Sequence, residues 1–318
     1  MKFIIKTTKE LTFDEKQAIL VLFKRVFNCE RSLEELNNQY QQNALGYSYH
    51  SLFLVNDELV GLNSFIPDYY YVEGEKKLFV NSVDTMINNK HRGIENFFDL
   101  INSAFERLSE DGVSFVLGFP NDISYPVFSG TRLMLDIGKL NTYILPFRVG
   151  GIKRGLRFLN PFSKLFSRCW LAGASIFASS QNHKYMIHKD DVNFNITRYK
   201  RMDGKYSHVN LHETDFYYKL MLHESVRTLF FIDITKKSAL NFCRAIKYLI
   251  KREKDNFDLL LYVGNLPFNN HGMIKLPRKY EPKKFNFMGK SISKNKIDNN
   301  VMYNIHNWDV NLSNYDLL

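Results

Sequence analysis

Leu78-Phe79-Val80-Asn81-Ser82-Val83-Asp84-Thr85-Met86-Ile87, running into Asn88-Asn89 and then His91-Arg92-Gly93, decides how this chain folds. Its β-branched and aromatic residues, without proline, predict a largely buried strand. Asn88, Asn89 and Gly93 break that strand. Phe97, Phe98, Ile101, Ala104, Phe105 and Leu108 then recur at helical spacing, and Asp111-Gly112 closes the helix. Val113 to Phe119 forms the next short apolar strand, which ends in Gly118-Phe119-Pro120-Asn121. A strand that feeds a glycine turn opening a helix is a common cradle for pyrophosphate. The N–H groups of the helix's first turn and its positive dipole end point at the anion.

This order and wording resemble the GNAT N-acyltransferase superfamily. They are most like a branch found among bacterial polysaccharide-synthesis proteins, whose core reads roughly D-T-M, then R-G-x-G, a helix, and G-F-P-N. The matching residues are Asp84-Thr85-Met86, Arg92-Gly93 and Gly118-Phe119-Pro120-Asn121. The resemblance covers Phe79 to Phe128 well and the rest loosely. It implies acetyl-CoA or another acyl-CoA as co-substrate, without a metal. Pyrophosphate would sit on Arg92, Gly93, Ile94, Glu95 and Asn96, and the pantetheine arm would pair with the strand at Thr85, Met86 and Ile87. Two positions depart from the pattern. Glu95 stands where the family's second turn glycine would be, adding bulk and like charge, although a carboxylate also suits a helix's first turn. Phe128 stands seven residues after Asn121, where many of these enzymes carry a Tyr that reprotonates the leaving thiolate. Tyr125 lies nearby but would project from a different part of a helix.

The remaining composition sets the frame. A chain of 318 residues with 45% apolar and 24% charged residues is globular and long enough for two cores. Cys29, Cys169 and Cys243 show no paired spacing, so neither a disulfide framework nor a zinc site is indicated. Met1-Lys2-Phe3-Ile4-Ile5-Lys6 charges too quickly for a signal peptide, and no run reaches the roughly 18 apolar residues of a membrane span. A cytoplasmic location follows as the expectation, with peripheral contact at the inner membrane face left open.

Three segments are expected: a GNAT-like acyl-CoA-binding domain over 1–147, a basic amphipathic linker over 148–190, and a degenerate GNAT-like domain over 191–318. The fold class is α/β, with a mixed sheet flanked by helices in each domain. In the first, a strand at Lys2 to Thr8 precedes a helix whose capping box is Thr12 and Glu15. Strands at Ser51 to Val55 and Leu59 to Val72 follow, the second marked at Pro67 as bulged or at an edge. Leu133 to Phe147 adds closing strands. In the second domain the pattern reads as a strand at Asn193 to Tyr199, a helix at Thr214 to His223 and a strand at Arg227 to Thr235. A helix at Ser238 to Lys251 comes next, then strands at Leu259 to Gly264, Phe285 to Ile292 and Val301 to Ile305. Lys236-Lys237-Ser238 replaces the Arg-Gly turn there, so this unit is not expected to bind acyl-CoA.

From Ile137 to Lys189 there is no Asp or Glu, while Lys153, Arg154, Arg157, Lys164 and Arg168 are interleaved with Phe158, Phe162, Leu165, Phe166 and Trp170. A basic stretch with Trp and Phe suits anionic lipid headgroups, with the contact expected over 148–172. The alternative is that these apolar residues pack the halves together and the charges are solvated. Nucleic acid is disfavoured as a source of the +10 charge, because no recognised binding motif occurs.

His208, His212 and His223 lack metal-ligand spacing. Asp84 is the candidate general base, against a bland role accepting hydrogen bonds from the neighbouring turn, and Asn121 the candidate positioning residue. The reading is an acyl-CoA-dependent N-acyltransferase whose acceptor is an amine, such as a nucleotide- or lipid-linked amino sugar in surface-polysaccharide synthesis. Two alternatives stand beside it. One is a GNAT-like scaffold without catalysis, motivated by Glu95 and Phe128. The other is a Fem-type aminoacyl transferase, which would need salt-sensitive tRNA binding.

Overall fold

A computed structural model describes residues 1–201, 206–254, 256–281, 283–293 and 297–315. The chain begins with β1 (Lys2–Thr7), α1 (Phe13–Phe27), α2 (Leu33–Gln41), β2 (Tyr49–Val55), β3 (Glu58–Val72) and β4 (Glu75–Ile87). It continues through α3 (Ile94–Asn102), α4 (Phe105–Glu110), β5 (Val113–Gly118), α5 (Tyr125–Gly130), β6 (Leu135–Lys139) and β7 (Asn141–Pro146). Next come α6 (Val149–Ile152), α7 (Asn160–Ile176), β8 (Ile187–Lys189), α8 (Asp191–Arg201), β9 (Ser207–Leu211), β10 (Thr214–His223) and β11 (Val226–Ile234). The last elements are α9 (Ala239–Arg252), β12 (Leu259–Gly264), β13 (Ile274–Lys275), β14 (Asn286–Ser291) and α10 (Asn299–Met302).

Two compact units share these elements. One comprises Met1–Lys139, Met186–Asp203 and Phe285–Asn307; the other comprises Leu140–Tyr185, Gly204–Lys284 and Trp308–Leu318. The first unit's sheet has the order β1-β2-β3-β4-β5-β14-β6, with β8 added to β3, and the second unit's has the order β13-β7-β12-β11-β10-β9. In each, one pair of neighbours is parallel, β4 with β5 and β11 with β12. A helical crossover joins each pair, as parallel strands require. Each sheet thus contains one parallel pair joined by a helical crossover.

The expected boundaries at 147/148 and 190/191 do not coincide with these units. The strand that follows β6 does not return to its own sheet: β7 pairs with β12 and β13 in the second unit. The slot between β5 and β6 is filled instead by β14, from near the other end of the chain. An apolar alternating pattern marks a strand but carries no information about which sheet it joins.

Local signals explain most elements. The capping box on α1 forms as expected, with Thr12 accepting from the Glu15 N–H and Glu15 returning to the Thr12 N–H. A second box, Ser32 with Glu35, starts α2, which the sequence reading did not anticipate. Pro67 does lie at a local edge, since β2 pairs with β3 only as far as Phe65 and β8 only from Tyr70. Three expectations fail. Asn193 to Tyr199 lies within the helix α8, with Phe194 and Arg198 buried one turn apart. Thr214 to His223 is the strand β10, burying Thr214, Phe216 and Tyr218 in alternation. Val301 and Met302 end the short helix α10, which Asp298 caps through the Asn300 N–H, and no strand forms over 301–305.

Candidate active site

The first unit's central feature is the place where β4 and β5 part. Their parallel pairing runs from Leu78–Val113 to Ser82–Gly118 and stops there, while β4 continues to Ile87. Over that extension β4 pairs with β3 on its other side, through a bulge in which Asn63 faces both Asp84 and Thr85. Asp84 takes a left-handed backbone at φ 50°, a conformation Asp and Asn adopt more readily than most residues. Such a bulge re-aims a side chain and locally breaks the ladder.

The side chains of Thr85, Met86 and Ile87 face the protein. Thr85 Oγ1 donates to Asn63 Oδ1 at 2.5 Å, while Met86 and Ile87 lie in apolar clusters with Leu62 and Phe53. What this segment offers outward is its backbone, which suits an amide-bearing arm lying along it as an extra strand.

Just beyond β4, Lys90-His91-Arg92 forms a cationic turn onto α3. Arg92 Nε donates to the Ile87 carbonyl at 3.1 Å and Asn96 Nδ2 to the His91 carbonyl at 2.8 Å, so both side chains brace the turn. Helix α3 starts at Gly93 without any side-chain cap. Its first-turn N–H groups are open, and the dipole adds positive potential there. Gly93 has an extended backbone (φ −179°) that any residue could adopt, but a Cβ there would meet nothing within 4 Å. The approach to the helix end is unobstructed. Glu95 is exposed and makes no hydrogen bond among the described residues, so its carboxylate is free to turn outward. This is the arrangement in which it opposes an anion least.

Asp84 is more deeply engaged than the sequence suggests. Its Oδ2 accepts from Tyr40 Oη at 2.6 Å, from Arg31 at 3.1 Å and from Gln39 at 3.4 Å. The Arg31 and Asp84 side chains are 18% and 14% exposed, so this ion pair is shielded from bulk water. Burial, with the Asp84 charge beside it, holds the Tyr40 phenol well above its usual range, and it remains a donor. All three contacts fall on Oδ2, which leaves Oδ1 as the oxygen able to take a proton. Behind this group lies His50, edge-on to Tyr40, with its ring nitrogens 2.9 Å from Thr8 Oγ1 and from Ser64 Oγ. Burial, aided by Lys16, lowers the His50 imidazole to about 3. Its neutral form belongs to the fold. This contribution to stability is complete above the unfolded value of about 6.5 and is lost as pH falls below it. Urea titrations between pH 6.5 and 4 are expected to show a loss of about 1.4 kcal/mol per pH unit from this group, which His50→Gln removes.

Asn121 lies in the turn between β5 and α5. Its Oδ1 accepts from the N–H groups of Ile123 and Ser124 at 3.0 and 2.9 Å and from Ser124 Oγ, fixing the turn into α5. Phe128 is in the core, edge-on to Phe97 with ring centroids 5.0 Å apart. Tyr125 is half-buried, and burial with Asp136 raises its phenol. Arg31, Tyr40 and His50 were not singled out from the sequence. The only available signal was the capping box at Ser32 followed by Leu36 and Tyr40 four residues apart.

In the second unit the end of the parallel pair β11/β12 has different surroundings. Ser238 caps α9 through the Asn241 N–H. Lys237 turns inward to pair with Asp233 at 3.2 Å and with Asp309. Parallel pairing of β11 with β12 ends at Phe230–Leu261. Beyond it the segment 308–314 runs beside β12, with Gly264 bridging Asn311 and the Asn265 N–H donating to Val310. Asn311 and Ser313 hydrogen bond to Asp233. Among the described residues no cluster of His, Cys, Asp and Glu could hold a metal ion.

No family model matches the chain, and no curated protein does. Solved structures do. A probable N-acyltransferase from Enterococcus faecalis V583 superposes with a TM-score of 0.60 at 10% identity, over 92% of this chain and 72% of the other. A GCN5-related N-acetyltransferase from Kribbella flavida gives 0.59 at 10% identity, over 91% and 71%. One from Anabaena variabilis ATCC 29413 gives 0.58 at 11% identity, over 91% and 73%. At such identity the likeness is one of architecture: this chain has the GNAT-like mixed α/β fold.

Proposed function

We propose that the first unit is an acyl-CoA-dependent N-acyltransferase, most simply an acetyltransferase, acting on an amine such as an amino sugar in surface-polysaccharide synthesis. The observation that carries this reading is the parting of β4 from β5 beside the uncapped, cation-flanked start of α3. An exposed backbone edge and an open helix N-terminus meet there, matching the two chemically distinct parts of a CoA ester. The Arg92 terminal nitrogens and the first-turn N–H groups hold the pyrophosphate, and the Thr85–Ile87 backbone pairs with the pantetheine amides. The amine nitrogen bonds to the thioester carbonyl carbon and the C–S bond breaks. A strand N–H steadies the developing oxyanion, and Asp84 Oδ1 takes the proton that the nitrogen sheds. The thiolate leaves and is protonated from solvent, since Phe128 has no proton to give. In this reading the second unit takes no acyl-CoA, which the run of 308–314 beside β12 and the inward Lys237 ion pairs support.

Phe128, locked in the core, favours a second reading in which the first unit binds CoA esters without turning them over. Calorimetry with acetyl-CoA and CoA tests both. Saturable binding is expected, weakened about 10- to 100-fold in Arg92→Ala and strengthened in Glu95→Gly. Binding without thiol release across a panel of amines, amino-sugar nucleotides included, would select the second reading. No binding by the folded protein would remove both.

A further inference from the structure

Helix α7 is built inside out. Its inner face carries small residues: Ser167 is buried and donates to the Pro146 carbonyl at 2.6 Å, Ser163 donates to the Phe147 carbonyl at 2.8 Å, and Leu171 is the only large side chain buried there. Its outer face carries the large apolar ones, Phe162, Leu165, Phe166 and Trp170, continued by Phe177 beyond its end and Phe158 before its start. Phe158, Phe162 and Phe177 are 71%, 68% and 75% exposed. Within α7, Phe162, Leu165, Phe166 and Trp170 recur at helical spacing and form one stripe. An amphipathic helix of a water-facing protein would point such a stripe inward. Exposed apolar surface of this extent marks an interaction site.

The stripe also contains a groove. Phe166, Trp170 and Phe177 border a cleft of about 520 Å³ whose floor includes Gly173, Ala174 and Gly272. A Cβ on Gly173 would meet nothing within 4 Å.

The charges around the stripe select its partner. Lys153, Arg154 and Arg157 precede α7, Lys164 and Arg168 lie on it, and no Asp or Glu occurs from Ile137 to Lys189. Two copies meeting through this face would bring Lys153, Arg154 and Arg157 of one against the same cations of the other. Nucleic acid would meet the cations but leave Leu165 and the exposed Ile152 and Ile176 without apolar partners. A bilayer rich in anionic lipid supplies both halves at once: phosphate at the headgroup level for the cations, and an acyl boundary for the aromatic stripe. We infer that the segment from Ile152 to Phe177 is an interfacial membrane anchor, with α7 lying flat on an anionic leaflet and its outer face inserted. This attachment is independent of the acyl-transfer reading. It would hold the protein at a surface where lipid-linked acceptors are concentrated.

The chain carries its own reporter. Of its two tryptophans, Trp308 is 1% exposed and Trp170 45%, so an emission change on adding vesicles reports Trp170. The full chain should float with vesicles containing about a third phosphatidylglycerol, with blue-shifted emission, and should not float with pure phosphatidylcholine. Combining Lys153→Gln, Arg154→Gln and Arg157→Gln should lower partitioning about 100-fold. Phe162→Asp, at a position too exposed to trouble folding, should abolish it. Failure to bind either vesicle would overturn the inference, as would binding that survives Phe162→Asp. So would self-association of the wild-type protein in solution that Phe162→Asp abolishes, since the stripe would then belong to a second copy. Displacement of bound protein from vesicles by a single-stranded oligonucleotide at equal phosphate would overturn it too.

Discussion

Lys237→Met is expected to destabilise the protein by about 3–5 kcal/mol. Lys237 is 3% exposed and pairs with Asp233 and Asp309, which are 1% and 6% exposed. Burial by itself would lower the ammonium's pKa, but the two carboxylates together hold it well above its usual value. A cation raised in this way contributes its stability fully below about pH 10 and loses it only as pH rises through the folded value, so wild-type stability near neutrality is insensitive to it. The variant behaves oppositely. Methionine fills a similar volume and removes the ammonium that Asp233 and Asp309 both contact, which favours the uncharged form of the pair. Its deficit should therefore shrink as pH falls from 7 to 5, because the folded variant binds protons that the unfolded chain at the same pH does not. Urea unfolding at both pH values checks this. A deficit that stays constant over that range would mean the loss comes from packing and not from unpaired charge.

Asp84→Asn is expected to lower kcat about 100- to 10,000-fold once an acceptor amine supports turnover, with acetyl-CoA binding little changed. Asn is the informative replacement for two reasons. It tolerates the left-handed backbone that Asp84 adopts at φ 50°, and its amide oxygen can still accept from Tyr40 and Arg31. The bulge survives, and only the capacity to take a proton is lost. Arg31→Leu supplies a readout that a purely structural role would not move. Removing the guanidinium 3.1 Å from Oδ2 should move the acid limb of kcat against pH if Asp84 is the group that takes the proton. A limb that stays in place in Arg31→Leu, with Asp84→Asn still active, would assign the proton transfer elsewhere.

How far the sequence could be read follows from the range of the interactions involved. The stretch from β4 through α4 to β5 is governed by local rules and is legible in outline, although the one expected helix is two, α3 and α4, broken at Ser103–Ala104. An apolar β-branched run, a glycine turn, a helical repeat and Gly112 at φ +83° need no knowledge of distant partners. Residues 193–199 misled because Phe194 and Ile196 alternate as in a strand while Phe194 and Arg198 share a helical face. Short polar-apolar runs satisfy both periods. In 214–223 the alternation of Phe216, Tyr218 and Leu220 was present but outweighed by the leucine and methionine that follow. The candidate site was half visible. The phosphate turn lies in one continuous stretch, whereas the partners of Asp84 come from residues 31, 39 and 40, which only tertiary folding brings to it.

The exchange of β7 and β14 between sheets has a consequence for how the protein is made. During synthesis the strands flanking the first unit's open slot are complete by residue 139, but the strand that fills it lies at 286–291. Roughly 7–30 s at ordinary elongation rates separate the two. Throughout that interval β5 and β6 present unpaired backbone to anything extended and apolar. Contacts of such long sequence separation also slow the final closure. The nascent chain is therefore at its most aggregation-prone between these two moments, and holding that slot protected is a task for chaperones and not for the native contacts themselves.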